Sequence, residues 1–136
     1  MFNKKKDMVY ATVSTRFDTA LRLMLVYVMY TGEKPTSTSL SDFLRRMDGI
    51  YAQRLAFVVT YDARRLHNVP LKYYIRQRDH MRKLEIQNDC TLKRFAVISP
   101  KKMQSLVSTM TSSRLPHRVF KHDTPVDQIN TFLHAS

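Results

Sequence analysis

The chain has 136 residues, 43% hydrophobic and 25% charged, with a formal net charge of +12. It is long enough to bury a core without staples and too apolar for a disordered chain, so one domain over residues 1–136 is expected. Two glycines rule out a Gly-rich phosphate loop, the lone Cys90 rules out an internal disulfide, and no apolar run reaches the about 18 residues of a membrane span.

The first seven residues form a basic arm carrying Lys4–Lys6. It leads into "MVYATVS" (8–14), which alternates with period two and predicts a strand with Val9, Ala11 and Val13 on one face and Met8, Tyr10 and Thr12 on the other. "ALRLMLVYVMYTG" (20–32) reads as its partner strand, with Arg16–Thr19 as the connection. A helix over 20–30 competes, since Leu, Met and Ala favour it, but Val26, Tyr27, Val28 and Tyr30 favour the strand. Next, Leu40, Phe43, Leu44, Met47, Ile50 and Tyr51 recur at the spacing of one buried helix face, behind a run of hydroxyl residues suited to capping.

From Leu55 onward one pattern recurs: a strand, a short loop and a helix opening on proline. The first unit is Leu55–Tyr61, a run apolar enough to be covered on both faces, followed by a helix from about Pro70 with Leu71, Tyr74, Met81 and Leu84 as its core stripe. The second is Leu92–Ile98, then Ser99-Pro100, then a helix with Met103, Leu106, Val107 and Met110. The third is "HRVFKH" (117–122), then a helix from Pro125 with Val126, Ile129, Phe132 and Leu133. Proline fits the first helical position because that amide has no helical partner. Ser99 and Thr124 are the expected N-caps, and Asp127 places a carboxylate in the last helix's first turn. "SPKK" (99–102) therefore reads as a cap and first turn rather than as a DNA-binding hook or a phosphorylation site. The predicted class is α/β: an N-terminal strand pair, then strand–helix repeats in a mostly parallel sheet joined by right-handed crossovers.

This layout, carried by "FVVTYDARRL", "RFAVISPKKMQSL" and "HRVFKHDTPVDQINTFL", resembles the STAS, or anti-sigma-factor-antagonist-like, fold from roughly Met8 to Leu133. CRAL-TRIO lipid-binding domains share that fold in larger form. The resemblance implies a small regulatory or interaction domain. Such regulators carry a phosphorylatable Ser or Thr at the start of the helix after the central strand. Here "RRLHNVPLKYY" has no hydroxyl between Tyr61 and Tyr73, which speaks against a kinase-switched role. The chain is also too short for the pocket lobes of a CRAL-TRIO lipid carrier.

Catalytic patterns are thin. The five histidines lack metal-ligand spacing and a single cysteine cannot build a zinc site, so neither metal nor cofactor is expected, and the chain reads as a non-enzyme. Cys90, between Asp89 and Thr91, has the surroundings of a structural thiol. Asp62, at the end of a buried strand, pairs either with His122 across the sheet edge or with Arg64 or Arg65 in its own loop.

Charge is the more informative feature. Residues 63–122 hold fourteen Lys/Arg against three acids, a balance of +11, and the rest of the chain carries +1. In a parallel α/β sheet all strand-to-helix loops share one edge, where ligands bind. That edge would gather Arg64, Arg65, His67, Lys101, Lys102, Lys121 and His122 into an anion- or partner-binding site. A second basic face is expected on the helix from Pro70, with Lys72, Arg76 and Lys83 beside an outward Tyr73. The expected function is a non-catalytic interaction or assembly module docking on an acidic protein or larger particle. The alternative is sequence-nonspecific nucleic-acid binding through residues 63–122, and an anionic lipid headgroup is a third candidate partner. Without a span or a signal-peptide core, the protein is expected to be soluble and intracellular, cytoplasmic or within a particle.

Overall fold

The computed structural model describes residues 9–66, 69–87, 91–100 and 115–135. The arm with Lys4–Lys6, His67, Cys90, Lys101, Lys102 and the expected helix with Met103, Leu106, Val107 and Met110 lie outside them.

The period-two pattern near the N-terminus builds a hairpin. Strand β1 (Ala11–Asp18) pairs antiparallel with β2 (Leu23–Tyr30), in a register running from Ala11 opposite Tyr30 to Asp18 opposite Leu23. Residues 20–30 are thus not a helix, as their β-branched and aromatic content foretold. The connection is tighter than expected. Arg16, Phe17 and Asp18 belong to β1, and the turn occupies 19–22, where Asp18 Oδ1 accepts from the Leu21 amide at 3.1 Å. The expected facing also shifts at the start: Val9 is exposed outside the strand and Tyr10 is buried. There the Thr31 amide donates to the Tyr10 carbonyl, and the Tyr10 ring packs edge-on against Tyr30 and Phe43, with centroids 5.2 and 6.0 Å away.

Helix α1 (Ser37–Ala52) starts at Thr36, whose side chain accepts from the Ser39 amide at 3.0 Å while Ser39 Oγ accepts from the Thr36 amide at 2.9 Å. This reciprocal cap satisfies two amides that helix geometry leaves without partners. The buried stripe of α1 is Leu40, Phe43, Leu44, Met47, Ile50 and Tyr51, the set that the spacing selects.

Strand β3 (Phe57–Asp62) pairs parallel with β2 and with β4 (Leu92–Ile98), and β4 pairs parallel with β5 (His117–Phe120). The sheet order is β1-β2-β3-β4-β5, so the chain crosses the sheet in one direction. Leu55, expected at the start of β3, is exposed and precedes it, because α1 ends in a left-handed turn at Arg54 before the strand can pair.

The apolar runs of β3 and β4 serve both faces. Phe57, Val59, Phe95 and Val97 join the core beneath α1 and α2 (Leu71–Gln87), whereas Val58, Ala96 and Ile98, with Phe120 of β5, meet Ile129 and Leu133 of α3 (Val126–His134) on the other face. Crossovers of one hand in one direction across a sheet put α1 and α2 on the same face. Each fully buried Phe or Val stabilises the fold by about 1.5–3 kcal/mol through apolar burial. Helix α3 leaves part of its own face open, and a groove of about 240 Å³ runs there past Arg16, Leu25, Tyr27, Thr60 and His134.

Two details of the later helices differ from expectation. Proline precedes the helix rather than opening it: Pro125 is the cap residue of α3 and has extended backbone, with no side-chain cap from Thr124. Likewise the Pro70 carbonyl accepts from the Tyr73 amide at 2.9 Å, while α2 begins at Leu71. The ring's fixed φ suits either place. The core stripe of α2 also differs, because Leu71 is 64% exposed and Gln77 is buried. Gln77 Oε1 accepts from Tyr10 Oη at 3.1 Å, and Nε2 donates to Tyr30 Oη at 2.7 Å, joining α2 to β2 and to the residue that leads into β1. Among the described residues no helix is long and apolar enough to cross a membrane.

Candidate functional site at the carboxyl edge of the sheet

The parallel ladders align the ends of three strands. Asp62 lies opposite Ile98 and Ile98 opposite Phe120. The ladder continues one step beyond, with the Ala63 amide donating to Ile98 O and the Ser99 amide to Phe120 O, each at 2.9 Å. Loops from β3 and β5 therefore leave the same edge on either side of β4, and each begins with a tight turn. Leu66 N donates to Ala63 O at 3.0 Å and Thr124 N to Lys121 O at 3.1 Å. These turns carry exposed Arg64 and Arg65 on one side, and exposed Lys121 and His122 on the other. Four of the seven expected edge residues are thus brought to a common edge. His67, Lys101 and Lys102 are outside the described residues, although the chain reaches Lys101 directly from the buried Pro100.

Arg64 is not an open cation. Its Nε donates to Asp62 Oδ1 at 2.9 Å and its Nη2 to Oδ2 at 2.7 Å, and its amide reaches Oδ1 at 3.2 Å. Tyr27 on β2 donates its hydroxyl to Asp62 Oδ2. Of the two readings of Asp62, the structure contains the loop pair with Arg64, while His122 sits exposed on the β5–α3 turn. The Asp62 side chain is 5% exposed and that of Arg64 49%. Burial pushes the Asp62 carboxyl up, but the side-chain hydrogen bonds from Arg64, then Tyr27 and the Arg64 amide, outweigh it and hold the group below its ordinary value. Burial and the bond to Asp62 raise the Tyr27 phenol. The bond to Asp62 likewise raises Arg64. Carboxylate, phenol and guanidinium are each driven further into their resting protonation states. The cluster ties β2 to the β3–α2 loop and is not poised to move a proton at neutral pH.

Ser99 is buried, and its hydroxyl donates to Phe120 O at 3.0 Å, clamping β4 to β5. That bond, which links distant residues, is one a reading confined to local capping does not anticipate.

The second basic face is partly consumed by packing. Arg76 donates to Ser41 Oγ at 2.6 Å and Ser37 Oγ at 3.3 Å, bridging α2 to α1. Tyr73 does not point outward: it is half-buried against the core, and Lys72 Nζ lies 5.1 Å from its ring centroid. Its helical position adjoins the α1 side of α2, where His80 also meets Asp48 at 2.6 Å. Lys72 and Lys83 remain exposed. Among the described residues no group of three His, Cys, Asp or Glu could hold a metal ion.

No family model, curated protein or solved structure matches this chain.

Sequence reasoning missed Tyr27 and Gln77. The signal for Gln77 was available: it lies three residues after Tyr74 and four before Met81, inside the core stripe, where a polar residue needs partners. Tyr27 gave no such signal, because its contact with Asp62 depends on the pairing of β2 with β3.

Proposed function

We propose that this chain is a non-catalytic interaction module, STAS-like in arrangement, that docks on an acidic protein surface through the carboxyl edge of its sheet. The observation that carries the reading is the alignment of the β3, β4 and β5 ends, which gives cations distant in sequence a common origin. Arg65, Lys121 and His122 stand on that edge, and Lys101 and Lys102 follow directly on Pro100. Arg64 serves as the anchor that shapes its turn, and Arg65 is exposed beside it. A strand pair followed by strand–helix units supports the STAS-like comparison.

A second reading, nucleic-acid binding, is favoured by the net charge of +12. A salt titration separates the two. Nucleic-acid binding predicts log affinity falling linearly with log salt, with a slope set by the phosphates neutralised. The decisive variant replaces Arg65, Lys101, Lys102 and Lys121 with Gln, against a control replacing Lys4, Lys5 and Lys6. Affinity for an acidic protein probe is expected to fall with the edge variant and to survive the control. Equal loss per charge in both would leave net charge alone as the cause and defeat the edge reading.

A further inference from the structure

We propose that the opposite, amino end of the sheet is a second docking surface, one that takes an acidic, amphipathic segment of a partner protein. This goes beyond the carboxyl-edge reading and does not rest on it. Two loops meet at this end: the 19–22 turn between β1 and β2, and residues 53–56 between α1 and β3. They are neighbours because Met24 pairs with Phe57, and the Met24 amide donates to Ala56 O at 2.9 Å.

Each loop holds an arginine in left-handed backbone, Arg22 with φ 52° and Arg54 with φ 57°. Among the described residues these are the non-glycine positions with positive φ. Such backbone disfavours side chains with a Cβ, apart from occasional Asn or Asp. Arg54 occupies the helix-ending position where glycine is usual, its amide donating to Tyr51 O at 3.1 Å. For folding alone, glycine would serve both positions better. What arginine adds is a guanidinium whose root is fixed by the turn that carries it.

Beside each arginine stands an exposed leucine, Leu21 at 46% and Leu55 at 42%, and Phe17, at 48%, lies at the same end of β1. Arg16 and Lys93 are exposed near them at the end of β1 and the start of β4. Asp18, the acid that ends β1, accepts from the Leu21 amide. The end therefore presents cations interleaved with apolar side chains, and its complement is a segment interleaving carboxylates with leucine-like residues. Fixed guanidinium roots suit the directional, two-point recognition of carboxylates. A second copy of this chain would bring the same cations and be repelled, and the mobile headgroups of a bilayer would gain nothing from fixed roots.

The test uses the full chain and a fluorescein-labelled peptide of Glu-Glu-Leu repeats, read by anisotropy. Gln-Gln-Leu and Glu-Glu-Ser versions are the controls, and each is expected to bind at least about tenfold more weakly. The double variant Arg22→Gly/Arg54→Gly should keep or raise the melting temperature, because glycine relieves the backbone, and should lose about tenfold or more in peptide affinity. Leu21→Ser/Leu55→Ser, at two exposed positions, should also lose affinity and provides the same test should the glycine variant fold poorly. The carboxyl-edge variant should bind the peptide as wild type does, whether or not the edge reading holds. Undiminished affinity in both amino-end variants would overturn the proposal, as would equal binding of either control peptide. So would loss in the carboxyl-edge variant alone, or tighter binding to phosphatidylserine vesicles that both amino-end variants abolish.

Discussion

Replacing Gln77 with Leu probes the buried polar link between α2 and the hairpin. Tyr10 and Tyr30 are 1% and 2% exposed, and Gln77 is hydrogen-bonded to both hydroxyls. Leucine would leave those hydroxyls in the core without the amide, at about 1–3 kcal/mol each. The added apolar surface returns about 1 kcal/mol. The expected net cost is about 1–5 kcal/mol, which for a domain of this size lowers the melting temperature by roughly 3–4 °C for each kcal/mol. Urea denaturation measures it directly. The sharper measurement is a mutant cycle with Tyr10→Phe/Tyr30→Phe, because removing all three polar groups together should leave stability within about 1 kcal/mol of wild type. If Gln77→Leu costs the same with phenylalanines at 10 and 30 as with tyrosines, the hydrogen bonds are not the cause and the reasoning fails.

At high pH the same tyrosines set a limit. Burial raises the phenols of Tyr10 and Tyr30 above their ordinary value, so their stabilising effect is complete below about pH 10 and is lost progressively as pH rises from there through the folded-state values. Above about pH 10 the expected fall approaches about 3 kcal/mol per pH unit for the two together, while urea midpoints between about pH 9 and about pH 10 should change little. Asp62 acts at the other end: its depressed carboxyl contributes stability above about pH 4 that disappears as pH falls through the folded-state value. Asp62→Asn should cost about 1–3 kcal/mol at neutral pH, and a gap from wild type that failed to narrow in acid would count against the Arg64 pairing. Thr36→Ala should cost about 1 kcal/mol by removing the α1 cap, whereas Thr124→Ala should stay within about 0.5 kcal/mol, since Pro125 caps α3 without it. Thermal melts of the two variants side by side test that contrast.

Features set by neighbours along the chain are legible in the sequence alone. The stripe of α1 follows from a 3.6-residue period, the choice of strand over helix in β2 from β-branched and aromatic side chains, and the two-faced burial of β3 from a nearly unbroken apolar run. The parallel order follows from strands alternating with helices. Boundaries are less legible: β1 continues through Phe17 and Asp18, and β3 starts two residues after Leu55, because hydrogen-bond partners on other strands decide where pairing begins and ends. Side-chain partnerships lie furthest from the sequence. Tyr27 and Asp62 are 35 residues apart, Tyr10 and Gln77 are 67 apart, and Ser99 and Phe120 are 21 apart. A local pattern tells a residue's face and period but not which distant group will arrive there. Arg64 and Arg65 are adjacent and alike in sequence, and only the fold, by placing the buried Asp62 carboxylate against one of them, gives Arg64 its anchoring role.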